Sequence, residues 1–359
     1  MSDSTIPSLV ASAREQVTQS DFFALGYLAL SDIAYTEEGS AQKAVAGIRD
    51  AFKSGRLATY QSGTCAGYWA LEWGPAATPD NGNLMYAASY RESTTQLPVF
   101  LAIAVRGTDV KAFGQGLLDQ LVEDMDAEKT YPWPFLNPYS SHDQGTAAIA
   151  QGSWDGLQKL MAMQDSTQSG QPGIAKFASD FLAQYPGLPA LPVVVTGHSL
   201  GGCMTTTVAA YLYSELPAGT VIVPNSFAAP TAGNPAFASM FASMFPYGPR
   251  WVNTLDLVPK AFAGLNDIRA LWNPCSVATP LVAKGILDVL EAKMKSLTYA
   301  QAGMDRTTPG VCAQQSRFTK LADPWFNELL FQHNPITGYW NNITRNYPKV
   351  GQLAPPSVS

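Results

Sequence analysis

The sequence predicts an α/β fold in which helices flank a mostly parallel central sheet. Short apolar runs of the kind buried in parallel sheets recur at Val99–Val105, Val193–Val195 and Val221–Phe227. Stretches with helical apolar spacing lie between these runs. Strands that alternate with helices need crossover connections, and such connections build a parallel sheet.

The first hundred residues contribute a helix and an antiparallel pair of strands. Asp21–Thr36 has the apolar spacing of a helix that packs on the sheet. Tyr68–Trp73 and Leu84–Tyr90 are predicted strands, and Pro79-Asp-Asn-Gly82 between them is a strong turn signal. The pair is expected to lead into the strand at Val99.

The remaining elements follow from the same reasoning. Arg250–Leu255 is a further predicted strand. Four stretches are predicted helices: Thr146–Met163, Ala175–Ala183, Leu200–Tyr213 and Ala283–Leu297.

Composition indicates a compact enzyme-sized chain. With 359 residues, of which 46% are hydrophobic, one large core is possible, and we expect a single domain over residues 1–359. A net charge of −6 argues against nucleic-acid binding, which needs clustered Lys and Arg. No apolar run approaches the ~20 residues of a membrane span. No secretory signal is visible at Met1–Pro7, so we expect a cytoplasmic protein, or a secreted one if a signal peptide is missing from this sequence.

The four cysteines fit a reducing compartment better than a disulfide scaffold. Cys203 is expected to be buried as a small apolar residue. Cys275 and Cys312 could pair, but the sequence alone does not fix that connectivity. No Cys/His cluster has zinc spacing and no Gly-rich phosphate loop follows a strand, so neither a metal nor another cofactor is implied.

The segment Pro192-Val-Val-Val-Thr-Gly-His-Ser-Leu-Gly-Gly202 is the clearest functional signal. A Gly-x-Ser-x-Gly pentapeptide is often only a turn, but here an apolar run precedes it and a helix-forming stretch follows it. Gly197 and Gly201 lack the Cβ atoms that would clash where the chain reverses. We therefore predict that Ser199 is a nucleophile, exposed at the sheet edge above a helix N-terminus that favours an oxyanion.

Three histidines, His142, His198 and His333, could serve as the base for this serine. In hydrolases of this strand–turn–helix type the order along the chain is Ser, then Asp or Glu, then His, which excludes His142. The backbone around His198 should direct its ring away from the Ser199 hydroxyl. His333 remains, in a predicted loop after Trp325–Phe331.

A carboxylate between Ser199 and His333 should orient the imidazole. Asp256 is the candidate that directly follows a plausible strand, and the alternative is a turn cap at the strand end. Asp288 and Glu291 lie in the amphipathic helix and are interpreted as solvated charges.

An oxyanion hole needs a second donor besides the backbone amide of Leu200, the residue after the nucleophile. The strand at Val99 ends in Arg106-Gly-Thr-Asp109, where Thr108 offers both an amide and a hydroxyl. Taken alone, this segment would be a polar loop with a helix N-cap.

Several of these segments, in this order, resemble the class 3 lipase family, which has the α/β-hydrolase fold. The matching segments are Ala104–Thr108, Val195–Gly202, Ala229–Phe237 and Asn253–Pro259. The resemblance implies that Ser199, Asp256 and His333 form the catalytic triad and that Thr108 and Leu200 form the oxyanion hole.

Two regions bear on the substrate. The resemblance implies a lid over residues 110–140, where apolar residues at helical spacing precede an aromatic, proline-rich run. The alternative is an ordinary amphipathic helix and a packed loop. The residues expected to contact an acyl chain are Phe113, Leu117, Leu118, Leu121 and Trp133. Residues 260–327 are expected to form an additional cap.

Two classes of function fit these predictions. The first is a carboxylic ester hydrolase, a lipase or esterase, that acts on an ester or lipid substrate at a lipid–water interface. Phospholipase A1 and small-ester or feruloyl esterase are alternatives within this class. The second class is a catalytically silent protein of the same fold that binds a lipid or a partner, since fold does not imply function.

Overall fold

A seven-stranded mixed sheet organises the computed structural model, which describes residues 5–36, 39–61, 65–106, 126–135, 146–165, 172–186, 190–313 and 324–355. The strands are β1 (Gly67–Ala77), β2 (Leu84–Glu92), β3 (Pro98–Val105), β6 (Val193–His198), β7 (Ile222–Phe227), β8 (Pro249–Asn253) and β9 (Met304–Thr308), in this order across the sheet. Strands β1, β2 and β3 pair antiparallel, and β3, β6, β7, β8 and β9 pair parallel. The predicted α/β fold is confirmed.

Helices cover both faces of this sheet. The helices are α1 (Thr5–Gln19), α2 (Ala24–Ile33), α3 (Ala41–Lys53), α4 (Gln151–Met161), α5 (Ile174–Ala183), α6 (Leu200–Glu215), α7 (Pro235–Met244), α8 (Leu265–Ile268), α9 (Leu281–Lys293), α10 (Pro324–His333) and α11 (Asn341–Asn346). Short 3₁₀ helices span Val258–Lys260 and Asn273–Cys275, and a π-helical turn spans Pro335–Trp340.

The central strands are apolar on both sides because both faces are covered. All residues of β3 and β6 are buried. Leu101 and Ile103 of β3 belong to the core that contains α4 to α7, whereas Phe100 and Ala102 belong to the core that contains α2 and α3. Alternate residues of one strand therefore enter two different cores, as expected of a strand that packs between two layers of helices.

The predicted helix over Thr146–Met163 is partly wrong. Ala148–Ala150 forms a short strand, β5, that pairs antiparallel with Thr130–Pro132, β4, and α4 begins only at Gln151. The amide of Trp133 also donates to the carbonyl of Ala147. A short apolar run has no periodicity that separates a strand from a helix, so this pairing was not visible in the sequence.

The predicted cap over residues 260–327 stays a prediction, but part of this segment joins the central sheet. These residues include α8 and α9, but they also supply β9, which extends the central sheet beside β8. Arg269 forms ion pairs with Asp288 and Glu291, the two acids interpreted as solvated charges.

Cys275 and Cys312 are joined by a disulfide, which settles the pairing that the sequence left open. Cys65 and Cys203 are buried thiols, and the burial of Cys203 was predicted. Burial raises the pKa of the Cys203 thiol to about 12. Among the described residues, no helix is long and apolar enough to cross a membrane.

Candidate active site

Ser199 occupies a sharp turn between β6 and α6. Its backbone has φ 59° and ψ −130°, and its amide donates to the carbonyl of Phe227 on the neighbouring strand at 3.0 Å. A positive φ is strained for a residue that carries a side chain, and such strain persists only where the surrounding structure enforces it. This geometry is that of a nucleophile elbow.

Two glycines allow the elbow to pack this tightly. A Cβ atom at Gly197 would lie 2.8 Å from the carbonyl oxygen of Val105 and would overlap the backbone of Gly201. A Cβ atom at Gly202 would lie 2.5 Å from the carbonyl oxygen of Phe227. Because these neighbours are backbone atoms, only glycine fits at both positions.

The structure brings Ser199, His333 and Asp256 into one hydrogen-bonded chain. His333 Nε2 lies 2.8 Å from Ser199 Oγ, and His333 Nδ1 lies 2.9 Å from Asp256 Oδ2. Each of the three residues is only 1% exposed. The predicted exposure of Ser199 at the sheet edge is therefore wrong, since His333 at the end of α10 contacts its hydroxyl. The arrangement is that of a nucleophile, a base and a carboxylate that orients the base.

Asp256 is held by two further donors. Its Oδ1 accepts from the amide of Val258 at 3.0 Å, and its Oδ2 accepts from the hydroxyl of Tyr339 at 2.6 Å. Burial and the adjacent Asp256 carboxylate raise the pKa of Tyr339 well above its usual value, so the phenol keeps its proton and donates. Sequence reasoning missed Tyr339, because the π-helical turn that returns it to the site leaves no periodic signal.

His333 ends α10 and does not lie in the predicted loop. The chain turns directly after it, where the Asn334 side chain accepts from the amides of Ile336 and Thr337. The base is therefore fixed on a regular element, which favours a constant ring position.

His198 makes no hydrogen bond from its ring to the Ser199 hydroxyl. Its ring is fully buried and packs 4.7 Å from the His333 ring and 5.6 Å from the Tyr339 ring, measured between centroids. Neither of its ring nitrogens makes a well-formed hydrogen bond, although the nearby carbonyl of His333 favours protonation. Burial, followed by the neighbouring His333, lowers the pKa of His198 well below its usual value. The His198 ring is therefore neutral.

Of the two residues predicted to form the oxyanion hole, only Leu200 lies among the described residues. Leu200 is the first residue of α6, where a backbone amide has no intrahelical acceptor and the helix dipole favours an anion. Thr108 lies outside the described residues, as do Phe113, Leu117, Leu118 and Leu121. Of the lid region, only residues 126–135 are described.

Trp133, a predicted substrate contact, packs in the core. It is 8% exposed, and its ring lies 5.1 Å from Phe135 and 5.3 Å from Phe237. Its role in substrate binding stays a prediction.

One group of described residues has the donor atoms of a metal site. Cys275, Cys312 and Glu328 place their ligand atoms within 4.8 Å of one another. Both sulfurs are engaged in the disulfide, so they are not available as thiolate ligands.

Comparison with known proteins agrees with this fold. Residues 103–265 match the sequence profile of the class 3 lipases. No curated protein matches the chain by sequence. The solved structure of M37 lipase superposes with a TM-score of 0.69 at 24% identity, over 89% of this chain and 91% of that one. The structure of Rhizomucor miehei lipase with its propeptide gives 0.44 at 17% identity, over 86% and 70%. The likeness to M37 lipase, at 24% identity, establishes the fold alone.

Proposed function

We propose that the protein is a carboxylic ester hydrolase that uses Ser199, His333 and Asp256, because residues 103–265 match the sequence profile of the class 3 lipases. The proposed substrates are acylglycerols or other lipid-like esters. The observation that carries this proposal is the continuous chain of hydrogen bonds from Ser199 through His333 to Asp256.

The reaction follows from these contacts. Ser199 Oγ attacks the ester carbonyl while His333 Nε2 accepts the hydroxyl proton. The tetrahedral intermediate collapses to an acyl-serine when His333 returns that proton to the leaving alcohol. Water then attacks the acyl-serine, with His333 again as the base, and the acid product leaves. Asp256 holds the imidazole in the required tautomer and stabilises its protonated form.

The tetrahedral oxygen needs donors on the side opposite the base. We propose the amide of Leu200 at the N-terminus of α6 as one donor and Thr108 as the other. A missing donor of this kind costs roughly 2–4 kcal/mol of transition-state stabilisation in serine hydrolases.

The test measures hydrolysis of p-nitrophenyl esters from acetate to palmitate, with emulsified triglyceride and phospholipid alongside. The proposal predicts hydrolysis by the native protein, with the highest kcat/KM on medium or long acyl chains. Ser199→Ala should lower turnover by several orders of magnitude. Ser31→Ala is the matched control, because Ser31 is equally buried but bonds to Tyr27 and Thr196.

Each outcome has a defined meaning. A preference for acetate esters would replace the lipid substrate with a small ester, and a preference for phospholipid would indicate a phospholipase. Lipid binding without hydrolysis, or equal activity in Ser199→Ala, would contradict the proposed enzyme.

A further inference from the structure

The Asn253 side chain bonds to the residue before Asp256 and to the residue before His333. It is the last residue of β8, fully buried, and precedes Asp256 by three positions. Its Nδ2 donates to the main-chain oxygen of Gln332 at 3.0 Å and to Gln332 Oε1 at 2.8 Å. Its Oδ1 accepts from the amide of Leu255 at 3.1 Å. One side-chain amide therefore shapes the turn that presents Asp256 and also holds the residue that precedes His333.

Gln332 extends this contact to a second segment. It is fully buried, and its Nε2 donates to the carbonyl of Val311 at 2.8 Å and to Glu328 Oε2 at 2.9 Å. Glu328 Oε1 accepts from the amide of Ala313 at 2.8 Å. Cys312, between Val311 and Ala313, carries the disulfide to Cys275. The end of α10 is thus bonded to β8 on one side and to this covalently anchored segment on the other.

These bonds are needed because they lie at the last turn of α10. The final carbonyls of a helix have no intrahelical donor, and Gln332 lies one residue from the end of α10. In a buried place water cannot satisfy such a carbonyl, so Asn253 provides the donor. Removing that donor leaves buried acceptors unpaired, and the helix end shifts until they find other partners.

We propose that Asn253 and Gln332 are positioning residues that hold His333 in register with Asp256. This inference rests on the proposed ester hydrolysis. Neither residue bonds to the reacting Ser199 Oγ, and both act through the placement of the imidazole. A displacement of about 1 Å in a catalytic group can cost on the order of 100-fold in rate.

The test compares two isosteric substitutions. Asn253→Asp keeps the acceptor for Leu255 but replaces the donor to Gln332 with an oxygen. Asn225→Asp is the matched control, since Asn225 is 2% exposed on the adjacent strand β7 and accepts from Trp251 Nε1 at 3.1 Å. Both changes should lower Tm, so Tm alone does not distinguish a positioning role from a structural one.

The rate and the triad hydrogen bond do distinguish these roles. In Asn253→Asp, kcat on p-nitrophenyl butyrate should fall roughly 10- to 100-fold while KM stays within about twofold. The far-downfield proton resonance of the His333–Asp256 bond should shift or broaden in the same variant. Asn225→Asp should keep both kcat and this resonance. If Asn253→Asp does not fold, Gln332→Met removes only the side-chain contacts and should give the same pattern with a smaller loss.

A variant of Asn253 or Gln332 that keeps the native kcat and an unchanged resonance would overturn the inference. Both residues would then have only a structural role. Absence of Ser199-dependent hydrolysis in the native protein would instead contradict the proposed function. The resonance needs no substrate, so it would still show whether Asn253 sets the His333–Asp256 contact.

Discussion

At the scale of single residues, the Asp256 carboxylate collects three hydrogen bonds, from His333, Tyr339 and the amide of Val258. A buried carboxylate that accepts several hydrogen bonds is fixed in position. The sequence could identify Asp256 and His333, because their order and residue types are demanded by the chemistry. It could not identify Tyr339, because no chemical pattern requires a tyrosine six positions after the base.

Tyr339→Phe tests whether the phenol matters for catalysis. The change removes one charge-assisted bond to Asp256 and keeps the ring, so kcat should fall roughly tenfold with little change in KM. Tyr299→Phe is the control, since Tyr299 is buried and its hydroxyl bonds to the carbonyl of Ala127. An unchanged kcat in Tyr339→Phe would show that His333 and Val258 suffice to hold Asp256.

At the scale of elements, α10 and the π-helical turn after it deliver both His333 and Tyr339. The sequence placed His333 in a loop after Trp325–Phe331, whereas it ends α10. Apolar periodicity identifies long helices, and it carries no information about a single turn in which the chain folds back on the helix end. The β4–β5 pair was missed for a related reason, since three-residue strands have too few positions to show alternation.

Gly338 lets this turn approach the end of α10. A Cβ atom there would overlap the Gln332 carbonyl oxygen and lie 2.6 Å from its carbonyl carbon. Gly338→Ala should therefore displace either the turn or the helix end, and kcat should fall by about tenfold or more. Gly285→Ala on α9 is the control, because the added methyl group would have no neighbour within 4 Å beyond the adjacent residues and backbone of its own helix. Equal activity of the two variants would show that the helix end tolerates the shift.

At the scale of the whole molecule, the sheet explains why separated motifs meet. Ser199 and Asp256 follow β6 and β8, two strands that run parallel, so both leave the same edge of the sheet. That much could be predicted, because strand order and the position of each residue after its strand are visible in the sequence. The disulfide and the addition of β9 to the sheet depend on contacts between distant segments, which a single sequence does not record.

The Cys275–Cys312 bridge should stabilise the whole fold. It spans 37 positions, and closing a loop of this length stabilises a protein by about 4 kcal/mol through the unfolded chain. Replacing both cysteines with serine should lower the free energy of unfolding in urea by about 2–4 kcal/mol. A loss below about 0.5 kcal/mol would show that the two segments stay together without the bond.

The most direct test of the proposed mechanism is covalent labelling with an alkyl fluorophosphonate, followed by mass spectrometry of the peptides. A serine activated by a buried base reacts with this reagent, and other serines do not. The proposed triad predicts one adduct, on Ser199, with labelling much slower in His333→Ala. An adduct on another residue, or equal labelling rates with and without His333, would contradict the mechanism.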